Sequence, residues 1–264
     1  MRWLTGKTIA LSVSPPQDLP ERGMGPEHLI DALGEISRQL LALGARLMYG
    51  GDLREGGITR ILFELAARYS PALAHKAEYA PAIIDVVPHP THAQLSVEQL
   101  SAWEADFASV AELRYMNRDD GVWSFATRPQ DLTQIPGEEW PAAFTAMRNY
   151  VLRNTDARVV LGGKTEGFLG RMPGVAEEAL ISAVAGQPLY VVGGFGGAAQ
   201  SIAQSIAENE YVFAGGSGQR YRVETPNGLD RVGLRRLATS PHIDEVALLL
   251  TRGLAALFAN EPKS

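Results

Sequence analysis

The sequence predicts an α/β protein, a Rossmann-like parallel sheet with helices on both faces. Three observations carry that expectation. Short apolar runs at 7–13, 45–49, 82–87, 157–161 and 188–192, the first of them β-branched, have the length of buried strands. Between them, apolar residues recur at helical spacing, as at Leu29, Ile30, Leu33, Ile36, Leu40 and Leu41. Glycine-rich stretches follow three of the runs and lead towards helices, as loops at the carboxyl edge of a parallel sheet do.

The first run stops at Ser14-Pro15-Pro16, and a helix is expected over 27–43, ended by Gly44. A strand at 45–49, a loop at 50–57 and a helix at 58–69 complete the first unit. The strand at 82–87 is closed by Pro88 and Pro90, and one long helix is expected over 96–116. Residues 117–141 break the rhythm as an irregular excursion carrying Trp123, Phe125 and Trp140, aromatics expected to pack rather than to stack on a base. The alternation resumes with a helix at 140–154, the strand at 157–161, a loop at 162–173, a helix at 174–185, the strand at 188–192, a loop at 193–197 and a helix at 198–209. Residues 211–236 read as glycine-rich and polar, and 242–258 as a last helix. A length of 264 residues suits a single domain spanning 1–264.

Composition narrows the function classes. A net charge of −6 leaves no basic footprint for nucleic acid. The absence of cysteine excludes disulfides, thiolate metal sites and cysteine nucleophiles. The opening apolar run is too short for a membrane span and lacks the shape of a secretory signal, so a cytoplasmic protein is expected. His75, His89 and His92 form no coherent ligand set, so no metal is expected, and no cofactor is called for.

Gly50-Gly51-Asp52-Leu53-Arg54, Gly162-Gly163-Lys164 and Gly193-Gly194-Phe195-Gly196-Gly197 should therefore meet at one sheet edge. Glycine lets backbone approach an anion, and the N–H groups of a following helix favour negative charge there, so phosphate is the expected guest. Arg54, Lys164 and Arg171 supply cations, and Ser14 closes the first strand beside them. The flexible run Gly215-Gly216-Ser217-Gly218, with Arg220 and Arg222, suits a surface loop as well as an anion site. Neither GxxxxGK[ST] nor a strict GxGxxG occurs, which argues against a P-loop nucleotidase and an ordinary nicotinamide dehydrogenase. Pro173-Gly174 opens a helix, with Glu177 and Glu178 in its first turn or so. Glu177 suits the helix dipole as well as a ligand; Glu178, one turn from Lys164 and Arg171, can hold ribose hydroxyls or act at an anomeric carbon.

The run L-G-G-K-T-x-G-x-x-G-R-M-P-G-V-A-E-E-A-L, followed by G-Q-P-L-Y-V-V-G-G-F-G-G-A and preceded by Y-G-G-D-L-R-x-G-G, resembles the SLOG superfamily of LOG phosphoribohydrolases, DprA-type proteins and nucleotide-sensing domains. The resemblance covers most of residues 7–197 and implies a nucleotide-derived ligand, with Glu178 at the position of the hydrolase glutamate and Arg171 as the arginine near phosphate. Where the hydrolases have P-G-G-x-G-T, this chain has Pro173-Gly174-Val175. The resemblance thus implies a sensor of an ADP-ribose-like or cyclic ADP-ribose-like signal, or alternatively an N-glycosidase or deoxyribosyltransferase-like enzyme acting through Glu178. It also implies a homodimer or higher homo-oligomer.

Overall fold

The computed structural model describes residues 2–69, 81–205, 210–214 and 220–259. Its elements run β1 (Thr8–Ser14), α1 (Pro26–Ala42), β2 (Arg46–Tyr49), α2 (Ile58–Tyr69), β3 (Ile83–Val87), α3 (His89–His92), α4 (Val97–Phe107), β4 (Ala111–Met116) and β5 (Val122–Trp123). There follow α5 (Trp140–Arg153), β6 (Ala157–Gly162), α6 (Gly174–Val184), β7 (Leu189–Val192), α7 (Gly197–Ala203), β8 (Glu210–Ala214), β9 (Arg220–Glu224), α8 (Arg231–Thr239) and α9 (Ile243–Phe258). Seven strands form one sheet in the order β5-β4-β3-β2-β1-β6-β7, parallel except for the edge strand β5.

Side-chain alternation along β1 shows how the layers form. Ile9, Leu11 and Val13 pack with Leu29, Leu33 and Ile36 of α1, whereas Ala10 joins Met48, Ile84 and Val86 against Met147 and Val151 of α5. Both faces are covered, so the strands are apolar almost throughout.

Two expectations need correction. The long helix over 96–116 is instead a helix and a strand: α4 opens on a capping box between Ser96 and Gln99 and ends at Phe107, and β4 follows. Buried Ala111, Leu113 and Tyr115 alternate with half-buried Glu112 and Arg114, a period of two that a helix cannot place on one face. The polar stretch 211–236 contains the antiparallel pair β8-β9 and helix α8, which Asp230 caps by accepting from the Gly233 amide. The helix predicted over 198–209 is α7; residues 206–209 lie outside the described residues, as do His75 and 215–218. The excursion begins as a hairpin whose turn is held by Asn117 Oδ1, which accepts from the Asp119 and Gly121 amides. Trp123 and Phe125 pack on the main core.

One buried group sets a pH dependence. Asp85 of β3 lies opposite Tyr49, is 0% exposed, and neither of its oxygens has a hydrogen-bond partner among the described residues. Burial, then the Asp52 charge, pushes its carboxyl well above the usual carboxylate range; the Gly51 amide acts the other way without completing a hydrogen bond. The folded protein therefore keeps a proton that the unfolded chain releases at its ordinary pKa. Stability falls as pH rises through that ordinary value and continues to fall until the folded pKa is passed. Asp85→Asn, shaped like the protonated acid and unable to ionise, should raise the melting temperature near pH 8 and change it little at about pH 3.5. The same shift at both pH values would contradict a protonated Asp85.

Candidate functional site

β1 is an interior strand of the sheet, with β2 on one side and β6 on the other. The chain fills the first side through β5 and then crosses to β6, so a topological switch point opens between the carboxyl ends of β1 and β6, where open α/β sheets bind ligands. Ser14 and Gly162 are partners in register at that point. Gly162 and Gly163 have φ values of +63° and +99°, left-handed conformations that turn the chain sharply off the strand. The turn is held by the Gly163 amide, which donates to the Ser14 carbonyl at 2.7 Å, and by the Lys164 amide, which donates to Ser14 Oγ at 3.3 Å.

A cleft of about 530 Å³ lies above this edge, a volume suited to a small organic ligand. Ser14, Gly50, Gly51, Asp52, Arg54, Lys164, Gly174 and Glu178 line it. Other predicted positions fall elsewhere. Gly162 and Gly163 are buried beneath it, with the Gly163 amide already bonded within the turn. Arg171 is exposed outside the lining. Gly194 and Gly196 are packing glycines: a Cβ on the first would collide with the Ser240 carbonyl, and on the second would lie 2.7 Å from Arg22 Nε. Glu177 is also outside the lining, its carboxylate turned into α5.

Arg148 and Glu178 of the lining belong to a lattice of arginines and carboxylates that continues beneath the cleft. Arg148 of α5 donates through Nη1 to Glu177 Oε2 at 2.5 Å, and its Nε lies 3.6 Å from Glu178 Oε1. Thr145 completes Glu177 by donating to Oε1 at 2.5 Å. Arg158 of β6 donates through Nη1 to Glu178 Oε2 at 3.2 Å and to Ser12 Oγ at 2.7 Å, and through Nε to Ser182 Oγ at 2.7 Å. Burial lowers the Arg158 pKa and neighbouring Arg148 adds to the effect, while Glu178 opposes it. Glycines admit this lattice: a Cβ on Gly174 would stand 2.8 Å from Arg148 Nη2, and one on Gly170 3.2 Å from Nη1.

Lys164 is exposed at the rim, whereas Arg54 pairs with Asp52 at 2.6 Å. Tyr49 lies under the glycine loop and donates to the Val13 carbonyl at 3.2 Å; burial, with Asp52, Asp85 and Glu178 nearby, raises its pKa, so it is a neutral phenol. The opposite wall is apolar, with Trp140, Phe144 and Met147 of α5 together with Leu95 and Phe168. Trp140 lines the cleft and packs edge-on against Phe144.

Sequence reasoning missed Arg148, Arg158 and the α5 wall. A signal existed for Arg158, a lone charge inside the apolar run 157–161, because an arginine in a strand buried on both faces needs a partner. The α5 wall is a stripe at 140, 144, 147 and 148, which on sequence grounds is indistinguishable from a core-facing stripe. Among the described residues no group of three or more His, Asp or Glu is placed to hold a metal. His92 is a structural group: its Nε2–H donates to the Met116 carbonyl at 2.9 Å, its Nδ1 accepts from Arg128 Nε at 3.1 Å, and burial takes its pKa down to about 4. No helix among the described residues is long and apolar enough to cross a membrane.

A mostly parallel sheet with glycine loops and a charged cleft across its switch point defines a Rossmann-like α/β protein. The chain belongs to the SLOG family: the family model described as SLOG cluster2 matches residues 3–224, a span that contains every residue lining the cleft. That places it among nucleotide-related binding or glycosidase-type domains. No curated protein and no solved structure matches the chain.

Proposed function

We propose that the cleft binds a nucleotide-derived ligand, an ADP-ribose-like or cyclic ADP-ribose-like signal, and senses it without turnover. The observation that carries this reading is the state of Glu178, whose two carboxylate oxygens face one arginine each, at 3.2 and 3.6 Å. A carboxylate held this way is acceptor-only and fixed in place, suited to ribose hydroxyls. The same two guanidinium charges oppose its use on a developing positive charge at an anomeric carbon, which glycosidic cleavage requires. Lys164 at the rim meets the phosphates, with the open amides at the start of α6. The aromatic wall of α5 covers the base.

Calorimetry with ADP-ribose, NAD and nucleoside monophosphates, with free base assayed in the same samples, tests this. Saturable binding without base release is expected. Lys164→Ala, at an exposed position, should weaken binding about tenfold and reduce its salt dependence. Glu178→Gln should weaken it by roughly 10- to 100-fold, the value of hydrogen bonds to a charged acceptor. Base release that disappears in Glu178→Gln would replace the sensor by an N-glycosidase, and no binding of any nucleotide would overturn both.

A further inference from the structure

A second cavity, of about 220 Å³, opens at the carboxyl ends of β3 and β4, on the other side of α5 from the cleft. The cleft takes 140, 144, 147 and 148 of that helix; this cavity takes Ala142, Ala143 and Ala146, whose small side chains leave the space. Met116 and Ile135 complete an apolar wall. His89 lines it as well, 4% exposed, and its side chain makes no hydrogen bond among the described residues; Nδ1 is buried without a partner there. Burial, with Arg118 and Arg128 nearby, lowers its pKa, so the ring is neutral and offers one donor and one acceptor. Arg118, Asp120 and Glu139 line the same cavity, yet among the described residues no ion pair within 4.0 Å joins them. All three are exposed at the opening, so both signs of charge are accessible there to a small molecule that carries both.

We infer that this cavity is a binding site for a free amino acid or a zwitterion of that size: carboxylate on Arg118, ammonium on Asp120 and Glu139, and a side chain with a polar tip reaching His89. The volume is below that of ordinary drug-sized pockets and suits a ligand smaller than a whole nucleotide. A buried imidazole without a partner favours a polar tip over an isosteric apolar one, because the apolar ligand would leave it unsatisfied.

The test follows the ε-methyl NMR signal of Met116, identified by its loss in Met116→Leu, during titration with L-glutamine and L-leucine. L-Glutamine should move it saturably at roughly millimolar concentration and bind about tenfold more tightly than L-leucine. His89→Leu should reverse that order, Arg118→Ala should weaken both about tenfold, and Ala143→Phe should abolish the response by filling the space. The exposed Arg118→Ala keeps the test decisive if Ala143→Phe does not fold. Glu178→Gln should leave the titration unchanged, which separates this site from the nucleotide cleft. No movement with either amino acid in the folded protein, or equal movement in Ala143→Phe, overturns the inference; movement by butyramide, which has no charged head, overturns the zwitterion assignment.

Discussion

Arg158→Met is expected to lower the stability of the protein by about 3 kcal/mol, the low end of the range for breaking a buried ion pair. The guanidinium is 1% exposed on β6, between β1 and β7, and serves Ser12, Ser182 and Glu178 at once. Methionine fills comparable space but leaves two buried hydroxyls and a carboxylate short of a donor. Glu178 is 12% exposed and retains Arg148 at 3.6 Å, which keeps the loss at the low end. Urea unfolding should show the midpoint falling with little change in slope, and the melting temperature should fall by roughly 6–12 °C. Combining the change with Glu178→Leu should recover part of the loss, because the stranded charge is then gone. A loss below about 1 kcal/mol would show that the lattice is not held by Arg158.

Gly197→Ala should cost about 2–4 kcal/mol, the sum of left-handed strain and overpacking. Gly197 has φ +63°, and a Cβ there would run into the Gly163 carbonyl oxygen and stand 2.6 Å from Pro16 Cβ. Three loops meet at this residue: its amide donates to Asp18 Oδ1 at 2.9 Å, and the next amide, of Ala198, donates to the Gly163 carbonyl at 3.0 Å. The loops after β1, β6 and β7 are thus pinned together below the switch point. A methyl group there forces them apart and should also weaken ligand binding in the cleft. Gly167→Ala is the matched control, since Gly167 has φ +65° and a methyl group on its Cα would meet nothing within 4 Å among the described residues. It should cost only about 1–2 kcal/mol, the strain alone. Equal losses for the two variants would mean that close packing at Gly197 contributes nothing.

The legibility of the protein divides along physical lines. The apolar runs of β1, β3, β6 and β7 were readable because strands buried on both faces admit few polar residues. Helices α1 and α2 were readable because one face is apolar at helical spacing. β4 was not, because residues 108–110 carry no proline or glycine to mark the break after α4, and Ala-Glu-Leu-Arg-Tyr-Met suits helix by propensity. Only pairing with β3, on which Ala111, Leu113 and Tyr115 are buried, makes it a strand.

The candidate site divides in the same way. Local chemistry marks a glycine turn at the end of a strand and a carboxylate at the start of a helix, so the sequence alone determined that a parallel sheet carries Gly50, Gly51, Lys164, Gly174 and Glu178 on its carboxyl edge. Which glycines open space for a ligand and which admit neighbouring backbone depends on what packs against them, and Gly194 and Gly196 have no local mark of that difference. Arg148 and Arg158 are 30 and 20 residues from Glu178 and reach it only because α5, β6 and α6 pack together. The tertiary structure alone decided that this carboxylate lies between two guanidiniums, because electrostatic partners are set by distance in space, while sequence patterns record only distance along the chain.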